Sequence, residues 1–404
     1  MRIHKLTALL TALAMSAAVM TSCGSGKTED SSSAAKSEST AETEAPAEVP
    51  AEKPDLERKG DMRGLTPTEL VAEMKTGWNL GNSLDATGAA GLASETSWGN
   101  PATTKEMVDE IKAGGFDLIR IPITWGGHLG DAPDYTVDEE WFGRVQEVVN
   151  YAYDNDMYVI INSHHEEDWR IPDNAHIDAV SDEVYALWAQ IAERFKDYGD
   201  HLIFEGLNEP RVKGGTNEWN GGTDEGRRCL DRLNQTFVDA VRSTGGNNET
   251  RLLLVTTFAS SAVKAAINDV AIPDDDNIAF SIHAYTPYAF TYNANADWEL
   301  FEWDGSHDSE IDNMFYDLKD AFLDKGIPVI ITEYGAVNKD FNDEEIAGWV
   351  THYLETAKSL GIPCVWWDNG YYISGNELFG IFDRNDCDWF SDTELEAIMK
   401  VYEE

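Results

Sequence analysis

Between Gly77 and Trp367 the chain repeats one unit: a short apolar run, a polar break, then a stretch whose apolar residues recur at helical spacing. The runs are Gly77–Gly81, Leu118–Ile123, Tyr158–Asn162, Leu202–Leu207, Leu252–Thr256, Ala279–His283, Val329–Thr332 and Cys364–Trp367. Short apolar runs without strict alternation read as strands buried on both faces, as in a parallel sheet. Helical patterning covers Thr103–Ala113, Asp138–Asn155, Asp182–Tyr198, Gly226–Thr244, Asp308–Lys325, Asp343–Leu360 and a last helix at Ser391–Tyr402. After Thr256 only a short helix fits, within Ser260–Val270. Eight strands alternating with helices predict an α/β chain folded as one (β/α)8 TIM barrel. The alternative, an open doubly wound sheet, is weakened because the first strand is not followed by a glycine-rich turn.

In such a barrel the functional groups sit at the carboxyl ends of the strands, and there this sequence turns polar. The fourth run ends in Asn208-Glu209-Pro210. Pro210 cannot donate to a sheet ladder and disfavours helix at the residue before it, so the strand stops with an amide and a carboxylate at its edge. The seventh run ends in Thr332-Glu333-Tyr334-Gly335. Other ends carry Arg120, His164 with His165, His283 with Tyr285, and Trp366 with Trp367. Two strand-end glutamates point to a paired-carboxylate centre, the arrangement most often used for glycoside hydrolysis. Plainer roles compete for single residues. Arg120 alone also suits a buried ion pair, and Glu205, inside the fourth run, reads as a structural partner. His164-His165-Glu166-Glu167-Asp168 has the residue types of a metal site. However, neighbours on a strand face opposite ways, and no second cluster completes a tetrahedral set. No metal or other cofactor is therefore expected. One of Trp366 and Trp367 must face the barrel mouth, where an indole can stack on a sugar ring. Among the remaining tryptophans, Trp219 and Trp303 are the better candidates for sugar contact.

Net charge is −44, from 30 basic and 74 acidic residues. That argues against nucleic acid or an anionic membrane surface as partner and is compatible with a neutral polymer. Residues 1–22 read as an export signal: a basic start, an apolar run from Leu6 to Met20, then Thr21-Ser22-Cys23. The pattern resembles a bacterial lipoprotein signal, with Met20 where Leu is usual. It implies a lipid at Cys23 and a surface location outside the membrane. Residues 23–62 are rich in Ser, Ala, Glu, Thr and Pro and read as a flexible linker. Residues 63–404 form the expected barrel, and Thr66-Pro67 opens its first helix. Cys229, Cys364 and Cys387 show no disulfide framework; Cys229 and Cys387 remain a conceivable pair. A monomer is expected.

These motifs together resemble glycoside hydrolase family 5, and within it the endoglucanase and xyloglucanase group numbered subfamily 4. The residues that carry the resemblance are Gly77-Trp-Asn-Leu-Gly-Asn-Ser-Leu-Asp85, Trp98-Gly-Asn-Pro101, Ile119-Arg-Ile-Pro122, Asn162-Ser-His-His165, Gly206-Leu-Asn-Glu-Pro-Arg211, His283-Ala-Tyr285, Thr332-Glu-Tyr-Gly335 and Trp366-Trp-Asp-Asn369. The resemblance implies a retaining endo-β-1,4-glucanase acting on β-glucan, with Glu209 as acid/base and Glu333 as nucleophile. It further implies that Arg120 and Tyr285 hydrogen-bond the nucleophile and that Asn208 contacts the sugar 2-hydroxyl. His164 and His283 would line the cleavage subsite, and Trp367 would stack there. Xyloglucan, mixed-linkage glucan, mannan and xylan are the rival substrates. A glycan-binding lipoprotein without catalysis is the rival class, and the presence of both glutamates argues against it. On these roles Glu209 is expected to hold its proton above the ordinary carboxyl range, while Arg120 and Tyr285 favour the charged form of Glu333.

Overall fold

A computed structural model describes residues 55–292, 300–375 and 377–403. The export signal, Cys23 and the linker up to residue 54 lie outside the described residues. In chain order the elements are α1 (Pro67–Val71), β1 (Thr76–Leu80), α2 (Lys105–Ala113), β2 (Leu118–Ile121), α3 (Glu139–Tyr153), β3 (Tyr158–Asn162), α4 (Ile177–Arg194), β4 (Leu202–Glu205), α5 (Asp224–Ser243), β5 (Leu253–Ser261), α6 (Lys264–Ile267), β6 (Ile278–His283), α7 (Tyr288–Thr291), α8 (Asp308–Ala321), β7 (Val329–Tyr334), α9 (Asp343–Ser359), β8 (Cys364–Asp368), β9 (Phe382–Asp383), β10 (Asp388–Trp389) and α10 (Asp392–Tyr402).

Strands β1 to β8 pair in parallel and in sequence order, and β8 returns to β1 from Thr76↔Cys364 through Leu80↔Asp368, closing the barrel. Period-two alternation divides the core. Leu118, Ile160, Ile203, Leu254, Ala279, Ile330 and Val365 form one buried cluster with Leu70, Val71 and Met74, so α1 and the turn after it plug one end of the barrel. Neighbours of opposite parity, such as Ile119, Val159, Ile161, Phe204, Val255 and Ile331, face the helices in the larger cluster. Local chemistry starts the helices. Thr66 and Glu69 form a capping box with Pro67 at the first helical position. Thr104, Asp138 and Thr223 cap α2, α3 and α5.

Three expectations are corrected here. Helix α4 begins at Ile177, not Asp182, because Ile177 and Val180 are buried against the core, and Ser181, inside the helix, donates to the Ile177 carbonyl at 2.6 Å. Residues 55–62, assigned to the linker by composition, pack on the barrel. Leu56 O accepts from Asn150 Nδ2 at 2.8 Å, Arg58 pairs with Asp154 at 2.7 Å, and Gly60 N donates to Asp197 O. These bonds come from two backbone groups and one long side chain, which composition does not weigh. Cys229, Cys364 and Cys387 are free thiols, so Cys229 and Cys387 do not pair.

The segment Leu253–Ser261 runs further than its apolar signal, through a register shift between Thr256 and Ser261. Ala259 and Ser260 have φ of 56° and 51° there. The bulge has a local consequence: Ser260 Oγ donates to Asn208 O, and Ala259 N donates to Pro210 O at 3.0 Å. Backbone strain of about 1–3 kcal/mol per such residue is thus held beneath the Asn208–Pro210 loop.

Candidate active site

Arg120 organises the barrel mouth. It is fully buried on β2, and each arm of its guanidinium is engaged. Nε donates to Glu205 Oε2 at 2.6 Å, Nη1 to Glu333 Oε1 at 2.6 Å and to Asn79 Oδ1 at 3.0 Å, and Nη2 to Asn208 Oδ1 at 2.8 Å. Burial pulls this cation down, but Glu205 and Glu333 outweigh the loss and leave it raised, so it stays charged. Glu205, on β4, is the structural partner expected, with Ser281 Oγ as a further donor. Asn79 went unassigned in the sequence. Its amide also donates to Thr332 O at 2.9 Å and Val365 O at 3.2 Å, tying β1 to β7 and β8. An amide in the middle of an apolar strand was the available signal, since a buried amide needs such partners.

Glu333, on β7, accepts from Arg120 on Oε1 and from the Tyr285 hydroxyl on Oε2 at 3.1 Å. Burial and the Glu333 charge push the Tyr285 phenol well above its usual value, so it remains a donor. Glu209 lies four residues beyond the end of β4, on a loop rather than on the strand itself. His283 Nδ1 donates to Glu209 Oε1 at 2.9 Å and lies 3.4 Å from Glu333 Oε2. Oxygens of the two carboxyl groups approach within 4.8 Å. Glu209 is the more accessible of the pair, its side chain 20% exposed against 7% for Glu333.

The protonation order differs from the expectation. Burial raises Glu209, but the hydrogen bond and charge of His283, then Arg211, outweigh it and hold Glu209 below the ordinary range. Burial raises Glu333, and although His283 and Arg120 oppose it, the balance stays upward, with the Glu209 charge adding to the rise. Arg120 divides its charge between Glu205 and Glu333, which is why it does not fully compensate Glu333. The two carboxyls titrate as a coupled pair, Glu209 the one held down and Glu333 the one held up.

The wall of the site comes from β3 and β8. His164 is pushed well below the usual histidine value by burial and by His165 and Arg120, so it is neutral. Its ring lies parallel to Trp367, centroids 5.8 Å apart. A Cβ on Gly81 would come within 2.8 Å of the Trp367 indole, so glycine at that position lets the ring lie against β1. Trp366 instead packs against Tyr334 and Trp349 in the helix-facing core and donates from Nε1 to Phe379 O at 3.0 Å. The two histidines do not point apart as strand neighbours would, because β3 ends at Asn162 and both lie beyond it. Their ring centroids are 4.4 Å apart. Asp85 joins them, so Asp85, His164 and His165 each present a ligand atom within 4.8 Å of the others. Asp85 already accepts from Ser83 N and Asn82 N at 2.8 and 3.1 Å, and His165 lies 3.6 Å from Glu167. Trp219 is exposed on the loop after Glu209, with Arg211 stacked on its ring at 4.4 Å. Trp303, the other expected sugar contact, instead packs against Phe290 at 5.1 Å in the helical layer.

Comparison with known proteins agrees with this geometry. The family model described as cellulase, glycosyl hydrolase family 5, matches residues 84–373. Endoglucanase A of Ruminococcus albus is 72% identical over 347 residues, covering 86% of this chain and 95% of that protein. The structure of a GH5-4 broad specificity endoglucanase from Ruminococcus champanellensis with bound cellotriose is 46% identical, with a TM-score of 0.82 over 84% of this chain and 100% of that one. A xyloglucan-specific family-5 endo-β-1,4-glucanase from a metagenomic library, in complex with cellotriose, is 43% identical, with a TM-score of 0.81 over 83% of this chain and 98% of that one. With its closed barrel and its two glutamates at the mouth, the chain belongs to glycoside hydrolase family 5, the cellulase family.

Proposed function

We propose that this protein is a retaining endo-β-1,4-glucanase in which Glu333 is the nucleophile and Glu209 the acid/base. The observation that carries the proposal is that an oxygen of Glu209 and an oxygen of Glu333 lie within 4.8 Å of each other, with His283 Nδ1 between them at 2.9 and 3.4 Å. Retaining glycosidases hold their carboxyls about 5–5.5 Å apart, whereas inverting enzymes leave about 6.5–9.5 Å for a water molecule. Arg120 and Tyr285 hold one oxygen each of Glu333, fixing the attacking carboxylate. Glu209 is the more accessible carboxyl and gives the shared proton to the departing glycosidic oxygen as Glu333 bonds to the anomeric carbon. Once Glu333 is esterified, its charge is gone and Glu209 is the more easily ionised. Glu209 then takes a proton from the incoming water, whose oxygen displaces Glu333 and restores the pair. Asn208, fixed by Arg120, offers its amide nitrogen to the 2-hydroxyl, a contact that strengthens in the transition state. His283 joins the two carboxyls, and His164 and Trp367 line the subsite of the sugar being cleaved.

The substrate is a β-1,4-linked glucan. The related structures hold cellotriose, and one of these proteins is described as xyloglucan-specific, so xyloglucan belongs in the assay panel. The enzyme is anchored through lipid at Cys23 outside the membrane, which would keep it where polymer is met; two or more acyl chains anchor stably and one does not. The Cys23→Ala protein should lack lipid by mass spectrometry; unlipidated wild-type protein would refute the anchor.

Two variants test the mechanism. Glu209→Gln should slow β-glucan hydrolysis by about 10²–10⁴-fold, with a far smaller effect on glycosylation by aryl glycosides of good leaving groups, which need little protonation. Glu333→Gln should abolish both reactions. Equal losses on both substrates for Glu209→Gln, or products of inverted anomeric configuration by NMR, would refute the assignment.

A further inference from the structure

The mechanism leaves one charged side chain beside Glu209 without a role. Arg211 lies two residues beyond Glu209 and is mostly buried. Its Nη1 donates to the Glu209 carbonyl at 3.0 Å and reaches Glu209 Oε2 at 3.4 Å, so one nitrogen ties the carboxyl to its own backbone. His283 holds the other carboxyl oxygen. The same guanidinium reaches Glu167 Oε1 at 3.2 Å and, through Nε, Glu218 Oε1 at 3.0 Å. Glu218 Oε2 in turn accepts from Gly214 N at 2.8 Å, which closes the 211–219 loop on itself. The closure lays the Trp219 indole over the guanidinium at 4.4 Å, and 53% of Trp219 remains exposed to solvent. An arginine fork braced against three carboxylates is a rigid support, and an indole stacked on it is held in one plane. Nothing else on this loop calls for a large aromatic side chain in solvent.

We infer that Arg211 is the positioning residue of the acid/base, locking the Glu209 carboxyl to a loop whose Trp219 indole seats the leaving-group side of the glucan. The inference rests on Glu209 being the acid/base. It places the two ends of the cleft on separate supports. Trp367 and His164 flank the sugar that becomes attached to Glu333, and neither touches Arg211. Trp219 is on the loop that follows Glu209, the carboxyl that protonates the departing sugar. Proton delivery and leaving-group binding are thereby carried by one braced unit. A displacement of about 1 Å in such a unit is enough to cost on the order of 10²-fold in rate. The groups that set the charge on Glu209 are His283, Arg211 and His165, with Glu333, Tyr285 and Tyr292 also within its field. Of these, Arg211 is the cation whose removal leaves Arg120, His283 and Glu333 bonded as they are.

Arg211→Met keeps the aliphatic stem and removes the fork. With purified full-length enzyme, kcat/KM for cellotetraose should fall by about 10–100-fold. The loss for glycosylation by 2,4-dinitrophenyl β-cellobioside should be much smaller, since that leaving group needs neither a proton nor a sugar subsite. The acid limb of the cellotetraose profile should move upward, because the cation taken from beside Glu209 had helped to hold that carboxyl down. A merely structural role would lower both substrates alike and leave the limb in place, and that result overturns the inference. If Arg211→Met does not fold, Trp219→Ala gives the second measurement: KM for cellotetraose should rise more than for the aryl glycoside, and equal changes overturn the leaving-group seat. Glu209→Gln serves as the control. If it loses activity equally on both substrates, the acid/base assignment itself fails. If it discriminates between them and Arg211→Met does not, the role of Arg211 alone is refuted.

Discussion

Replacing Arg120 by Met tests the network at the barrel mouth most severely. Met has nearly the length of the arginine stem, so packing changes little, but four side-chain hydrogen bonds disappear, to Glu205, Glu333, Asn79 and Asn208. Glu205 is fully buried, and without Arg120 its charge has no cation beside it. Breaking a buried ion pair from one side costs about 3–5 kcal/mol, because the stranded charge cannot return to water. Unfolding entropy is about 2.1 cal/mol/K per residue, and the described barrel has roughly 350 residues. The melting temperature should therefore drop by about 4–7 °C. The deficit has a pH signature. A stranded carboxylate in the folded variant has its pKa raised above the unfolded value, so the folded state binds more protons and stability falls as pH rises. The deficit should be largest at neutral pH and shrink toward pH 5. Activity should respond separately: Glu333 loses its cation, and the alkaline limb of kcat/KM, which reports Glu333, should move up by about 1–3 pH units. The double variant Arg120→Met/Glu205→Gln should regain much of the stability and none of the activity. Thermal unfolding at two pH values and a pH–rate profile read both effects. A single variant as stable as the wild type, or a double variant no more stable than the single, would show that Arg120 does not compensate Glu205 as argued.

Two further outcomes follow from the same geometry. On the proposed roles the reactive pair carries one proton, and because Glu209 is held down and Glu333 up, the acid limb of wild-type kcat/KM reports Glu209 and the alkaline limb Glu333; the alkaline limb should lie above the ordinary glutamate value of 4.5, and a limb at or below that value contradicts the direction. A chain beginning at residue 55 should melt like the full-length protein, whereas one beginning at residue 64 loses the bonds of Leu56, Arg58, Gly60 and Arg63 to the barrel and should be less stable by about 1–3 kcal/mol in urea unfolding. Equal midpoints would show that residues 55–63 contribute nothing to the fold.

The barrel was legible because its signals are local. Each buried strand is a short apolar run, and each helix has a stripe and, in several cases, a cap. The residues at the mouth were legible for the converse reason: Arg120, Glu209, His283 and Glu333 interrupt apolar runs where core filling gives no cause for them. What escaped was set by tertiary contact. The bulge at Ala259 and Ser260 has no glycine to announce it, and its strain is held by bonds to Asn208 and Pro210 from another strand's loop. The ribbon β9–β10 is two residues a side, too short for a pattern. It carries Arg384, whose buried fork reaches Gly81 O and the Asp368 carbonyl, bracing β1 against β8 behind Trp367. Residues 55–62 are bound mainly through backbone atoms, which composition cannot register.

The proton order of Glu209 and Glu333 was illegible for a deeper reason. Two glutamates with a nearby arginine suggest that the arginine lowers one and that the resulting charge raises the other. The structure divides Arg120 among Glu205, Glu333, Asn79 and Asn208, so its charge is already half committed to a carboxylate with no catalytic role. It also places His283 between the pair and Arg211 on the far side of Glu209. Together they reverse which carboxyl is held down. The reversal does not disable a double displacement, because the reaction needs one proton on the pair and a route for it to the leaving oxygen. On the proposed roles the more accessible Glu209 supplies that route. The tilt toward an ionised Glu209 favours the second step, in which it acts as base on water, and weakens the first, in which it acts as acid. On this argument poor leaving groups should be limited by glycosylation, and that is the step in which a seat on Trp219 for the departing sugar has the most effect.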